Sequence, residues 1–162
     1  MGKILISACL LGEKVRYDQK HNLIDHPQIA HWQTEGRLVP VCPEVLGGLP
    51  TPRPPAEIKK QHPLLIETVN QHDVTPAFLA GAERALEIAQ QHNVCCALMK
   101  AKSPSCGNEE IYDGSFQRQL IAGQGAAASE LVRNGIPVFN EQQLDKLFDF
   151  LEGQPLYGTS NR

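Results

Sequence analysis

Four short apolar runs constrain this chain most: KILISAC at 3–9, LVPVC at 38–42, VCCALM at 94–99 and IPVF at 136–139. Runs of this length, bounded by turn residues, read as buried strands. Pro40 inside the second run removes a ladder donor, so that strand belongs at an edge or a bulge. Helical patterns separate or follow the later runs. In VTPAFLAGAERALEIAQQHN, Thr75 reads as N-cap, Pro76 as the first helical residue, and Val74 with Leu79 as a hydrophobic staple. Phe78, Ala82, Ala85, Leu86 and Ala89 then share one face. A shorter helix is expected over 125–134. A last one is capped by Asn140 with Gln143, stapled by Phe139 and Leu144, faced by Leu144, Leu147, Phe148 and Leu151, and closed by Gly153.

Strands alternating with helices across short turns predict an α/β chain: a three-layer, Rossmann-like fold with a mainly parallel sheet of about four to five strands. No internal repeat is visible, and 162 residues suit one domain over 1–153 with a frayed tail at 154–162. LPTPRPPAE at 49–57 reads as a stiff loop with polyproline-like segments over one sheet edge.

Composition closes several routes. A net charge of -3 with no basic block argues against broad nucleic-acid binding. No run approaches the ~20 apolar residues of a membrane span. ISAC at 6–9 resembles a lipoprotein cleavage box, but only Ile4, Leu5 and Ile6 precede it, far short of a signal core. Five cysteines, an odd and dispersed set, do not form a disulfide framework. The expectation is a cytoplasmic protein with reduced thiols, a monomer or weak dimer, since no exposed apolar stripe demands a partner.

The cysteines then become informative. Cys9 and Cys42 end the first two strands, and Cys106 lies in the turn KSPSCG after the third. In open parallel sheets ligands bind at the carboxyl ends of the strands, so all three thiols reach one edge. Singly, each reads as a small buried residue. Together they suggest a metal site one ligand short of closure, with a position left for water or substrate. Their spacing does not choose between zinc and an iron–sulfur cluster. Cys95 and Cys96, inside an apolar run, are expected to pack in the core on opposite sides of a strand.

Other groups collect near these thiols. Glu44, two residues beyond Cys42, is either a general acid/base or a solvated loop carboxylate. Ser103 and Ser105 flank Pro104 and either serve a ligand or cap the turn locally; no Gly-x-Ser-x-Gly elbow surrounds them. Arg16 and Arg53 offer donor forks for a polar ligand, or form surface pairs and loop anchors. Lys100 and Lys102 read as solvated. GQGAAA at 123–128 fits a dinucleotide pattern weakly, without a clear strand before it, though its helix N-terminus is suited to an anion. The six histidines show no zinc spacing.

ISACLLG with VRYD, CPEVLGGLPTPRPPAEI, DVTPAFLAGAERAL, and KSPSCG with IYDG together resemble the thiouracil desulfidases, a family once filed as a domain of unknown function. The matching blocks run from about residue 4 to residue 139, with the tail and the Cys95–Cys96 pair as additions. The resemblance implies a 4Fe–4S cluster held by three cysteines, here Cys9, Cys42 and Cys106. It also implies a non-redox reaction on a small thiolated pyrimidine: substrate sulfur binds the open iron, water replaces it at the ring carbon, and sulfide leaves. Glu44 would activate the water. Ser103, ahead of Ser105, would assist protonation or orientation. Three rivals use the same residues: a zinc hydrolase with Glu44 as base, a non-enzymatic iron–sulfur sensor or sulfur carrier, and thiol catalysis by Cys106.

Overall fold

The computed structural model describes residues 2–153; Met1 and the stretch 154–162, where the frayed tail is expected, lie outside the described residues. In chain order the first elements are β1 (Lys3–Ser7), a 3-10 turn (Ala8–Leu11), α1 (Pro27–Thr34), β2 (Leu38–Val41) and the one-turn helix α2 (Pro43–Leu46). β3 (Ala56–Gln61), β4 (Leu64–Thr68), α3 (Thr75–Gln91) and β5 (Val94–Met99) follow. The chain continues through β6 (Glu110–Tyr112), β7 (Leu120–Ala122), α4 (Ala126–Arg133), β8 (Val138–Asn140) and α5 (Leu144–Glu152).

The main sheet has four strands in the order β2-β1-β5-β8, all parallel. Its two faces explain why its strands read as continuous apolar runs: both are covered. Ile4, Ile6, Cys96 and Leu98 pack against Ile29 and Trp32 of α1 and Leu147 of α5. Leu5, Val39, Val41, Ala97 and Met99 pack against Leu86 and Ala89 of α3 and Leu131 of α4. This is the expected three-layer α/β sandwich, and β2, with Pro40, is indeed an edge strand.

Two antiparallel hairpins, β3–β4 and β6–β7, extend beyond the expected elements. Ile58, Ile66 and Ile111 seat them on Phe78, Ala82, Ala126 and Ala127 in a third apolar cluster. The Pro-rich stretch therefore runs into a strand at Ala56. Neither the hairpins nor α1 stand out in the sequence, because each carries only one or two buried apolar positions.

Local details also differ from expectation. Thr75 is the first residue of α3 and not its cap; its hydroxyl accepts from Ile66 N at 2.8 Å, and Asp73 Oδ1 accepts from Thr75 N at 2.9 Å. Leu79 is 52% exposed, so no staple forms, and Val74 packs instead into the cluster around Phe78. Asn140 and Gln143 do exchange hydrogen bonds, Asn140 N to Gln143 Oε1 (3.0 Å) and Gln143 N to Asn140 O (2.9 Å), while Gln142 N donates to Asn140 Oδ1 (2.8 Å). They join the end of β8 to a turn, and the helix begins only at Leu144.

Cys95 and Cys96 depart from simple alternation. Lys3 pairs with Val94 but Ile4 with Cys96, leaving Cys95 as the extra residue of a bulge. Both thiols consequently pack on the α1/α5 side, with their sulfurs 3.9 Å apart. Among the described residues no helix is long and apolar enough to cross a membrane.

Candidate active site

Ser7 closes β1, and Cys9 sits in the 3-10 turn two residues later. Cys42 follows β2 directly and caps α2, with Pro43 in the first helical position, where its missing N–H costs nothing. Cys106 lies in the loop after β5. Because β2, β1 and β5 are adjacent and parallel, all three segments emerge on one side. There the three cysteines line a single cavity of about 420 Å³. Glu44, Ser103, Ser105, Arg16 and Arg53 line it too, so every residue singled out for this site is on its wall.

Backbone contacts hold these segments in place. α2 lies so close to α3 that a Cβ on Gly81 would stand 1.9 Å from Pro43 O, and one on Gly47 2.0 Å from Ala77 O. Only glycine permits this approach, which sets the depth of Cys42 and Glu44. On the other side, the N-terminus of α4 grips the Cys106 loop. Ala126 N donates to Pro104 O (2.9 Å), and Ala127 N and Ala128 N donate to Ser105 O (2.8 and 3.0 Å). These are the donors that a dinucleotide or free anion would need. The Gly-x-Gly-x-x-Ala stretch is therefore a mount for the loop.

A polar chain crosses the cavity wall. Glu44 Oε1 accepts from Arg53 Nε at 2.9 Å, and Glu44 Oε2 accepts from Ser105 Oγ at 3.1 Å. Ser105 and Ser103 oxygens are 3.0 Å apart. A hydroxyl has one proton, and the carboxylate claims that of Ser105, so Ser103 donates to Ser105. Ser103 Oγ meanwhile accepts from Ser105 N (3.1 Å) and Cys106 N (3.0 Å), so it also caps the turn. Arg53 is buried, and its Nη1 goes to Pro50 O and Thr51 Oγ1 and its Nη2 to Val15 O. The structure thus spends Arg53 on orienting Glu44 and the loop. Arg16 is similarly occupied, by Asn22 Oδ1 at 2.7 Å and Asp18 Oδ2 at 3.1 Å.

Burial pushes all three thiols up. For Cys9 it is partly offset by the Asn22 amide, and for Cys42 by the backbone N–H of Val45. Cys106 is 5% exposed, and burial raises it to about 12, opposed by the Ser7 and Ser105 hydroxyls beside it. Cys9 and Cys42 also raise Cys106, because three thiolates around one cavity repel. A thiol this reluctant to ionise is a poor unaided nucleophile, which counts against thiol catalysis by Cys106.

The 2-thiouracil desulfurase family model matches residues 4–143, most of the chain. The chain belongs to this family. A solved structure described as a 4Fe–4S-dependent thiouracil desulfidase, TudS, is similar at a TM-score of 0.90 and 44% identity, covering 94% of this chain and 99% of that one. The uncharacterized protein YbbK of Bacillus subtilis is 36% identical over 151 residues, covering 89% of this chain and 99% of YbbK.

The donors present suit the cluster that the family implies. Soft thiols on three separate segments, desolvated and mutually repelling once ionised, are satisfied by a thiophilic, cationic group. A single tetrahedral zinc would need its thiolates about 3.8 Å apart, given Zn–S bonds of ~2.3 Å. Among the described residues no three His, Cys, Asp or Glu side chains are gathered to hold one metal ion.

Several wall residues escaped the sequence reading. Asn22 and Arg118 line the cavity outside any quoted motif, and Ser7 and Tyr112 line it from within ISACLLG and IYDG, where neither was singled out. Tyr112 and Arg118 arrive through the β6–β7 hairpin and its loop, which gives no periodic signal at three residues per strand. Lys100, read as solvated, is paired with Glu141 at 2.8 Å, and Lys102 faces the cavity.

Proposed function

We propose that this protein removes sulfur from a small thiolated pyrimidine of the 2-thiouracil type by hydrolysis without net redox change. One water enters, the ring C=S becomes C=O, and hydrogen sulfide leaves. Cys9, Cys42 and Cys106 would hold a 4Fe–4S cluster. When bound, a cluster on three thiolates in place of the usual four supplies an iron open to the substrate sulfur as a Lewis acid.

The observation that carries this reading is the Arg53–Glu44–Ser105–Ser103 chain on the same wall as the three thiols. Glu44, fixed by Arg53, takes a proton from the attacking water. Ser105 Oγ takes that proton from Glu44 as it gives its own to the departing sulfur, so the water's proton leaves with the hydrogen sulfide, and Ser103 holds the Ser105 hydroxyl in place. Pro43, Val41 and Ala101 on the wall limit bulk water around the reacting carbon. Arg16 and Arg53 shape the pocket from behind these groups.

Anaerobically purified protein is expected to be brown, with near-equal iron and acid-labile sulfide, and to convert 2-thiouracil to uracil. Cys106→Ala should lose the iron, and Glu44→Gln should keep it but lose turnover. Stoichiometric zinc without colour would overturn the reading in favour of a zinc hydrolase. Full turnover in Glu44→Gln would remove the carboxylate from the mechanism.

A further inference from the structure

We propose that Asn22, oriented by Arg16, is the hydrogen-bond donor that holds and tunes the Cys9 sulfur, a positioning residue for the cluster; this rests on the cluster reading above. The geometry leaves the Asn22 amide one useful orientation. A guanidinium only donates, so the atom 2.7 Å from Arg16 Nη1 must be the amide oxygen. That turns the NH2 group, Nδ2, toward Cys9 Sγ at 3.6 Å. Arg16 is itself held by Asp18 at 3.1 Å, so the order is Asp18, Arg16, Asn22, Cys9.

The backbone reinforces this arrangement. Asn22 N donates to Cys9 O at 2.8 Å, and Ile24 N to Leu10 O at 2.9 Å. The segment after the VRYD turn is thereby stitched along the 3-10 turn that carries Cys9. The three sulfurs end up in different surroundings. Cys9 receives an amide N–H, Cys106 faces a Ser105 hydroxyl that Glu44 also claims, and Cys42 Sγ lies 3.9 Å from the carbonyl of Val15. Hydrogen bonds to ligand sulfurs set the potential of an iron–sulfur cluster, and outer partners of a ligand govern metal retention. Arg16, which the sequence offers as a donor fork for a ligand or as a loop anchor, acts on the Cys9 sulfur through Asn22.

The test compares anaerobically reconstituted wild type with Asn22→Asp, Asn22→Ala, Arg16→Met and Cys9→Ala. Asn22→Asp keeps the shape and the acceptor for Arg16 but has no proton for the sulfur. It should release iron to a chelator about tenfold to a hundredfold faster and shift the cluster midpoint potential downward. Asn22→Ala should shift both readouts in the same direction, and Arg16→Met should do so less, because the amide can then rotate. Melting of the metal-free variants should match wild type, separating this effect from misfolding. Wild-type potential and iron release in both Asn22 variants would overturn the inference while leaving the cluster reading intact. A wild type without iron, or a Cys9→Ala variant that keeps its cluster, would overturn the reading and the inference together.

Discussion

At the carboxyl ends of β2, β1 and β5, three cysteines face a cavity; at the amino end of β5, two cysteines face each other. Cys9, Cys42 and Cys106 are carried by separate segments, each fixed by backbone contacts and each beside a polar group. Cys95 and Cys96 are neighbours in a bulge, packed against α1 and α5, with Gly2 so close that a Cβ there would stand 3.0 Å from Cys95 Sγ. The Cys96 thiol is pushed up by its contact with Cys95 and by burial. The same side chain is thus a candidate ligand where several chain segments open onto a cavity, and core filling where one strand meets a packed layer.

The largest expected difference between the two ends is metal content. Cys9→Ala or Cys106→Ala should abolish stoichiometric iron, whereas Cys96→Ala should retain it; iron loss in Cys96→Ala would erase the distinction. Next comes chemistry without metal loss. Glu44→Gln should keep the cluster by visible spectrum and reduce desulfidation by roughly 10²–10⁴-fold, the usual worth of a general acid/base. The mount comes third. Gly81→Val forces atoms into the Pro43 carbonyl and should destabilise by about 1–3 kcal/mol in a denaturant melt. The same variant should also reduce iron occupancy, because α2 carries Cys42 and Glu44. Smallest is the packing effect of Cys96→Ala, about 1 kcal/mol in the same melt, with turnover unchanged.

Much of this arrangement was legible along the chain. The apolar face of α3, the end of α5 at Gly153 and the edge position of the Pro40 strand follow from periodicity and turn chemistry, which act over a few residues. Cap details were less so: Thr75 has the right chemistry for a cap, yet bonds Ile66 on a strand brought alongside. The placement of Cys9, Cys42 and Cys106 at one edge was legible because parallel strands must end on the same side. The opposed packing expected for Cys95 and Cys96 failed because a bulge depends on the partner strand's register, which no local pattern encodes.

The sequence by itself determined the layered α/β plan and the candidate ligand set, because alternation of strand and helix patterns admits few ways to bury every apolar face. Only the tertiary structure decided what the polar side chains do. Arg53 meets Glu44 nine residues away, Asn22 meets Cys9 thirteen away, and Ser105 meets Glu44 sixty-one away. Such partners are chosen by which segments packing brings into reach, and a buried donor or acceptor must then take the partner it finds. That requirement pairs Arg16 with Asn22 and Arg53 with Glu44 on the wall of the same cavity.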